Sequence, residues 1–268
     1  MRRSWIGILA AAAVAAWALL GGVARADVRL PALFTDGMVL QQGMPVPVWG
    51  WADDGERVTV RFHGQEVSAV AHGGKWQVRL APMRAGGPWP LTVVGKNTIE
   101  LPHAFVGEVW IASGQSNMQW NLLNSYEGEK EVAASANPML RLFTVPNVKA
   151  SAPLDDVKSQ WVESGPETTP SFSAVAYYFG RDLQRALKVP VGIIHTSWGG
   201  SPAEVWMSRR VLERDPEYRE LCSAASRSVA QWLERYTQAQ LNREALQAQN
   251  AAQIAEARRK GQELVAAA

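Results

Sequence analysis

Apolar and polar positions along the chain fall into three successive patterns. From about Asp27 to His103 they alternate in short runs bounded by turn residues, as in Val58, Val60 and Phe62 against Thr59, Arg61 and His63. A period of two puts successive side chains on opposite faces of a strand. The pattern predicts strands from Val46 to Trp49, Arg57 to His63, Glu66 to Val70, Trp76 to Leu80, Leu91 to Val94 and Thr98 to Leu101, with turns at Asp54-Gly55, Gly73-Gly74 and Lys96-Asn97. Strands so spaced, with no helical pattern between them, predict a small β-sandwich over residues 27–103. Its Trp49, Trp51, Trp76 and Trp89 fit either a core or a carbohydrate-stacking face, and a core is the commoner home.

The second pattern starts at Phe105. Val106 to Ala112 reads as a buried strand, Met139 to Val145 as another, Ser173 to Leu187 as a helix and Val191 to Thr196 as a third strand. Alternating β and α elements with short connections predict a parallel sheet covered by helices, over residues 104–208. The third pattern, over residues 209–268, is rich in Ala, Gln, Glu and Arg, with Leu212, Leu221, Leu233, Leu241 and Leu246 at helical spacings and Pro216 dividing it near the start. It predicts an exposed polar helix or helical hairpin, an insertion or a truncated end. The expected fold class is thus α/β: a parallel sheet, preceded by a β-sandwich and followed by a polar helical segment.

The first 26 residues stand outside these patterns. Arg2 and Arg3 precede a 16-residue apolar run from Trp5 to Leu20, followed by Gly21-Gly22 and Ala24-Arg25-Ala26. This is the layout of a secretory signal peptide with an A-x-A cleavage site, and the run is shorter than the roughly 20 residues of a spanning helix. The reading places the mature protein, from near Asp27, in the periplasm or outside the cell, with no membrane association after cleavage.

Composition narrows the function classes. The 268 residues carry 27 Lys+Arg against 25 Asp+Glu. The three arginines Arg2, Arg3 and Arg25 lie in the export signal, which holds no acid, so the remainder is near neutral. No basic stripe points to nucleic acid. The single Cys222 excludes a disulfide framework and a cysteine metal site, and is expected to be a small buried hydrophobe. No nucleotide-binding loop or spaced metal-ligand cluster occurs, so no cofactor is expected.

Two short motifs carry chemistry. Gly114-Gln115-Ser116-Asn117-Met118 ends the strand Val109-Trp110-Ile111-Ala112. A serine at the carboxyl end of a parallel strand can be a nucleophile whose oxyanion product is held by backbone N–H groups. Ser116 through Gln119 equally fits the capping box S-x-x-Q, in which the serine only starts a helix. Ser197-Trp198-Gly199-Gly200-Ser201-Pro202-Ala203-Glu204 follows the strand ending at Thr196. Ser201 as N-cap, Pro202 at the first helical position and Glu204 predict a helix start. Gly199 and Gly200 before it make a turn, or bring free N–H groups close to a substrate.

Together with Leu33-Phe34-Thr35-Asp36-Gly37-Met38-Val39-Leu40-Gln41-Gln42, these motifs resemble those of bacterial sialate O-acetylesterases of the SGNH (GDSL-like) hydrolase superfamily. The resemblance implies an SGNH-type three-layer sheet and deacetylation of O-acetylated sugars through an acyl-enzyme. It implies Ser116 as nucleophile and oxyanion donor, Gly200 with Gly199 as the second donor block, and Gln115, Asn117 and Trp198 as substrate-binding residues. Members of the family continue into a Gln-Gly-Glu-type block and an Asp-x-x-His block that supplies the base, and this chain has neither. It is therefore expected to be the amino-terminal portion of an esterase, with little or no turnover on its own. His63, His72 and His103 fall in or at the edge of the β-domain; His195, at a strand end, is expected to make local hydrogen bonds. An acetyl xylan esterase would use the same machinery. A non-catalytic carbohydrate-binding remnant would use Trp120, Trp198 and Trp206 as stacking surfaces. Neither oligomeric state nor the particular sugar is legible.

Overall fold

One strand organises the architecture. The computed structural model describes residues 27–150 and 152–266, so the expected signal peptide lies outside the described residues. The chain divides into two units, residues 1–200 and 201–268. In the first unit, strand β7 (Thr98–Gly114) runs 17 residues without a break. Its first half pairs antiparallel with β6 (Gly86–Val94). Its middle pairs parallel with β1 (Val39–Gln41), and its second half parallel with β10 (Val191–Ser197). The sequence pattern predicted two strands here, separated near Pro102. They fuse because the β6–β7 ladder shifts register between Trp89 and Leu91, so the missing N–H of Pro102 falls at an irregularity.

The sheet order is β4-β3-β6-β7-β10-β8-β9, with β3 at Arg57–Phe62, β4 at Gln65–Val70, β8 at Asn137–Thr144 and β9 at Trp161–Ser164. β2 (Val46–Trp51) and β5 (Lys75–Leu80) form a separate antiparallel ribbon. The expected alternation holds in β3, where Val58, Val60 and Phe62 are buried. They join Val48, Trp76, Val78, Leu80, Leu91 and Val93 in one apolar cluster. β1 and β9, at three and four residues, are too short to leave a periodic signal.

β7, β10 and β8 are mutually parallel, and β9 closes that end antiparallel to β8. A second cluster joins them to α3 (Ala174–Leu187). Ser173 caps this helix, its Oγ accepting from Ala176 N at 3.2 Å, and Lys188 ends it in a left-handed conformation. The helix can close on the sheet because position 180 is glycine: a Cβ there would stand 2.8 Å from Ile193 and 3.0 Å from Leu140. Two short helices, α1 (Ser116–Gln119) and α2 (Gly128–Ala133), lie in the connection from β7 to β8.

The second unit holds α4 (Arg209–Leu212) and α5 (Pro216–Ala266). The hairpin alternative gives way to a single 51-residue helix, about 77 Å long at 1.5 Å per residue. Pro216 starts it rather than dividing the segment, at the position where a missing N–H costs nothing. Cys222 is half-buried on α5 rather than buried, as follows from a helix whose described side chains are mostly exposed. No described helix is long and apolar enough to cross a membrane.

Candidate active site

Parallel neighbours deliver their following loops to the same sheet edge, and this joins the two motifs. Gly114 lies opposite Ser197 in the β7–β10 ladder, and Trp198 N–H donates to Gly114 O at 3.0 Å. The backbone then places Gly199 directly against Ser116: a Cβ at Gly199 would stand 3.6 Å from both Cα and Cβ of the serine. Gly199 N–H donates to Gln119 Oε1 at 2.6 Å, which ties the glycine loop to α1. Gly114 takes φ +152°, turning the chain from β7 toward α1.

Ser116 is exposed and is the first residue of α1. Residue 115 occupies the N-cap position, with no side-chain capping bond. The capping-box alternative therefore does not describe this turn. Its Gln119 side chain accepts from Gly199 instead of reaching back to the cap, and Ser116 Oγ has no protein hydrogen bond among the described residues. Gln115 and Asn117 flank it, both exposed, and Trp198 is half-buried. Gly200 is exposed at φ +75°. A serine hydroxyl and a glycine backbone at one exposed turn are a suitable setting for attack on an ester carbonyl.

His195 is built differently from a base. It is 7% exposed, its Nε2 lies 2.7 Å from Ser197 Oγ, and its ring meets Phe172 edge-on at 5.3 Å. Burial lowers its pKa below the ordinary histidine value. The Met118 backbone opposes this in part. Nδ1 is buried with no hydrogen-bond partner among the described residues. The ring is thus held neutral and turned toward Ser197, in keeping with the expected local bonding. His103 instead pairs with Asp36 at 2.8 Å, far along β7 from Ser116. Burial alone would raise the Asp36 pKa, but the His103 ring and backbone outweigh it and leave the carboxyl below its ordinary value.

The second unit corrects one expectation. Ala203–Trp206 is a single 3-10 turn whose N-cap position is Pro202, with no side-chain cap. Ser201 Oγ accepts from Trp206 Nε1 at 2.9 Å. Of the three candidate stacking tryptophans, Trp120 and Trp206 are exposed, and Trp120 Nε1 donates to Asn124 O. Sequence reasoning missed the linking role of Gln119 and the Ser197 partner of His195. The first signal was present but was readable only as a cap.

A serine thus lies beside a glycine turn at the carboxyl edge of the parallel strands of an α/β sheet. No protein-family model matches the chain. It is 34% identical over 209 residues to sialate O-acetylesterase of Homo sapiens, covering 69% of this chain and 40% of that protein. The same enzyme of Rattus norvegicus is also 34% identical over 209 residues, with 69% and 38% covered. A crystal structure of a carbohydrate acetylesterase from Xanthomonas citri superposes with a TM-score of 0.68 at 38% identity, covering 69% of this chain and 43% of that one. The fold is therefore shared over the superposed part. The chain spans about 40% of the length of the curated relatives it matches.

Proposed function

We propose that the chain is a carbohydrate esterase of the sialate O-acetylesterase type, with an SGNH-type α/β part preceded by a β-sandwich and an export signal over residues 1–26. The observation that carries the reading is Gly199 packed against Ser116 in a chain similar to named O-acetylesterases. Ser116 Oγ attacks the acetyl carbonyl carbon, and the Ser116 and Gly200 N–H groups receive the oxyanion. Collapse expels the sugar hydroxyl, and water then releases acetate from the acyl-serine.

The attacking hydroxyl must lose its proton to a base. None of the four histidines stands in an Asp-x-x-His setting, and His195 is turned to Ser197. This favours weak turnover by the chain alone. Acetate release from O-acetylated N-acetylneuraminic acid and from acetylated xylan, with imidazole added as an external base, tests the reading and separates the two substrate classes. The expected result is imidazole-dependent release that Ser116→Ala loses at least tenfold. Equal release by both proteins would sink the assignment of Ser116.

A further inference from the structure

The β2–β5 ribbon holds two half-buried tryptophans beside a cavity. In β2 the buried positions are Val46, Val48 and Gly50, with Trp49 and Trp51 half-buried between and after them, Trp49 packing its ring against the apolar cluster. Across the ribbon Trp49 faces Gln77 and Trp51 faces Lys75. Of the four tryptophans expected in a core, Trp76 is buried in the apolar cluster, Trp49 and Trp89 are half-buried and pack against it, and Trp51 is half-buried outside it. Trp49, Trp51, His72, Lys75, Gln77 and Asp155 line a cavity of about 420 Å³. That volume lies within the roughly 300–1,000 Å³ of small-molecule sites.

Each of the two indoles has a ring or cation neighbour. Phe34 meets Trp49 edge-on at 4.6 Å, and the Arg29 guanidinium sits 5.3 Å from the Trp51 ring centre. Lys75 Nζ donates to both Asp155 carboxylate oxygens at 3.1 and 3.2 Å in an exposed ion pair, which compensates the charge of the lysine. Among the described residues, the indole N–H groups of Trp49 and Trp51, the His72 ring and the Gln77 amide make no protein hydrogen bond. The cavity thus joins flat aromatic surface with unengaged donors and acceptors and a compensated charge. A ligand that satisfies all three has an apolar face, several hydroxyls and no net charge.

We propose that this cavity is a second carbohydrate-binding site, for a neutral pyranose of an oligosaccharide, separate from the Ser116 turn. It shares with the proposed function only its class of ligand. Isothermal titration of the full chain with xylotetraose, cellotetraose and chitotetraose tests it, with N-acetylneuraminic acid and adenosine as charged and heteroaromatic comparators. At least one neutral tetrasaccharide is expected to bind more tightly than either comparator. Trp51→Ala should weaken that binding at least tenfold, and the exposed Gln77→Ala, which carries no core packing, about three- to tenfold. Both variants should keep the wild-type circular dichroism and imidazole-dependent acetate release. No binding of any tetrasaccharide, tighter binding of a comparator, or unchanged binding by Gln77→Ala would overturn the proposal. Loss of acetate release in a folded Trp51→Ala variant would overturn it too, by merging the cavity with the esterase site, while leaving the esterase reading intact.

Discussion

At the scale of single residues, His195 shows how burial decides a role. Its ring lies among Phe172, Ser197 and the apolar cluster under α3, and desolvation holds its pKa below 6.5. The unfolded chain therefore binds a proton that the native ring refuses. Stability from this group is fully present above about pH 6.5 and is lost as pH falls through the folded-state value. Thermal unfolding of the wild type should lose midpoint temperature between about pH 7 and pH 5 more steeply than His195→Gln does. Parallel profiles would show that His195 is not held neutral. The same residue marks a limit of the sequence: a histidine at a strand end was legible, but its partner two residues on was not, because alternate residues share a face only once the strand is fixed. Likewise Gln119 and Gly199 lie 80 residues apart, and only strand pairing reveals that one bonds the other.

At the scale of elements, the two motif loops meet because β7 and β10 lie side by side. That pairing depends on Gly107, where a Cβ would fall 1.9 Å from Pro190 O. The carbonyl cannot retreat, since it accepts the Glu108 N–H at 2.9 Å. Gly107→Ala should destabilise the first unit by about 2–3 kcal/mol, as overpacking typically does. Urea unfolding followed by tryptophan fluorescence measures this, and a cost below about 0.5 kcal/mol would contradict the close β7–β10 approach. Most elements were legible where the chain alternates cleanly, as in β3, or spaces its apolar residues helically behind a Ser cap, as in α3. The continuity of β7 was not. Pro102 reads locally as a break, and it is tolerated only because the neighbouring strand shifts register beside it. The start after Ser201 also misled: a Ser-Pro-x-Glu series suits a helix, but the Ser201 hydroxyl goes to Trp206 and the turn stays 3-10.

At the scale of the whole molecule, the first unit brings a serine, a glycine turn and a sheet edge together, while the general base expected of such a site has no matching motif in the sequence. Most of the polar second unit is the long helix α5, whose composition was legible but whose single span was not, since a proline near the start of the segment reads as a divider although it suits a first turn. The central proposal is that Ser116 is the nucleophile of an esterase. Its most direct test is a chimera in which residues 27–208 replace the corresponding part of the Xanthomonas citri carbohydrate acetylesterase, leaving the rest of that protein in place. Steady-state hydrolysis of acetylated sugar by the chimera is expected to fall on the order of 10⁴–10⁶-fold with Ser116→Ala, as when a nucleophile is removed from an intact catalytic set. A chimera that hydrolyses the substrate equally well with alanine at position 116 would contradict the account.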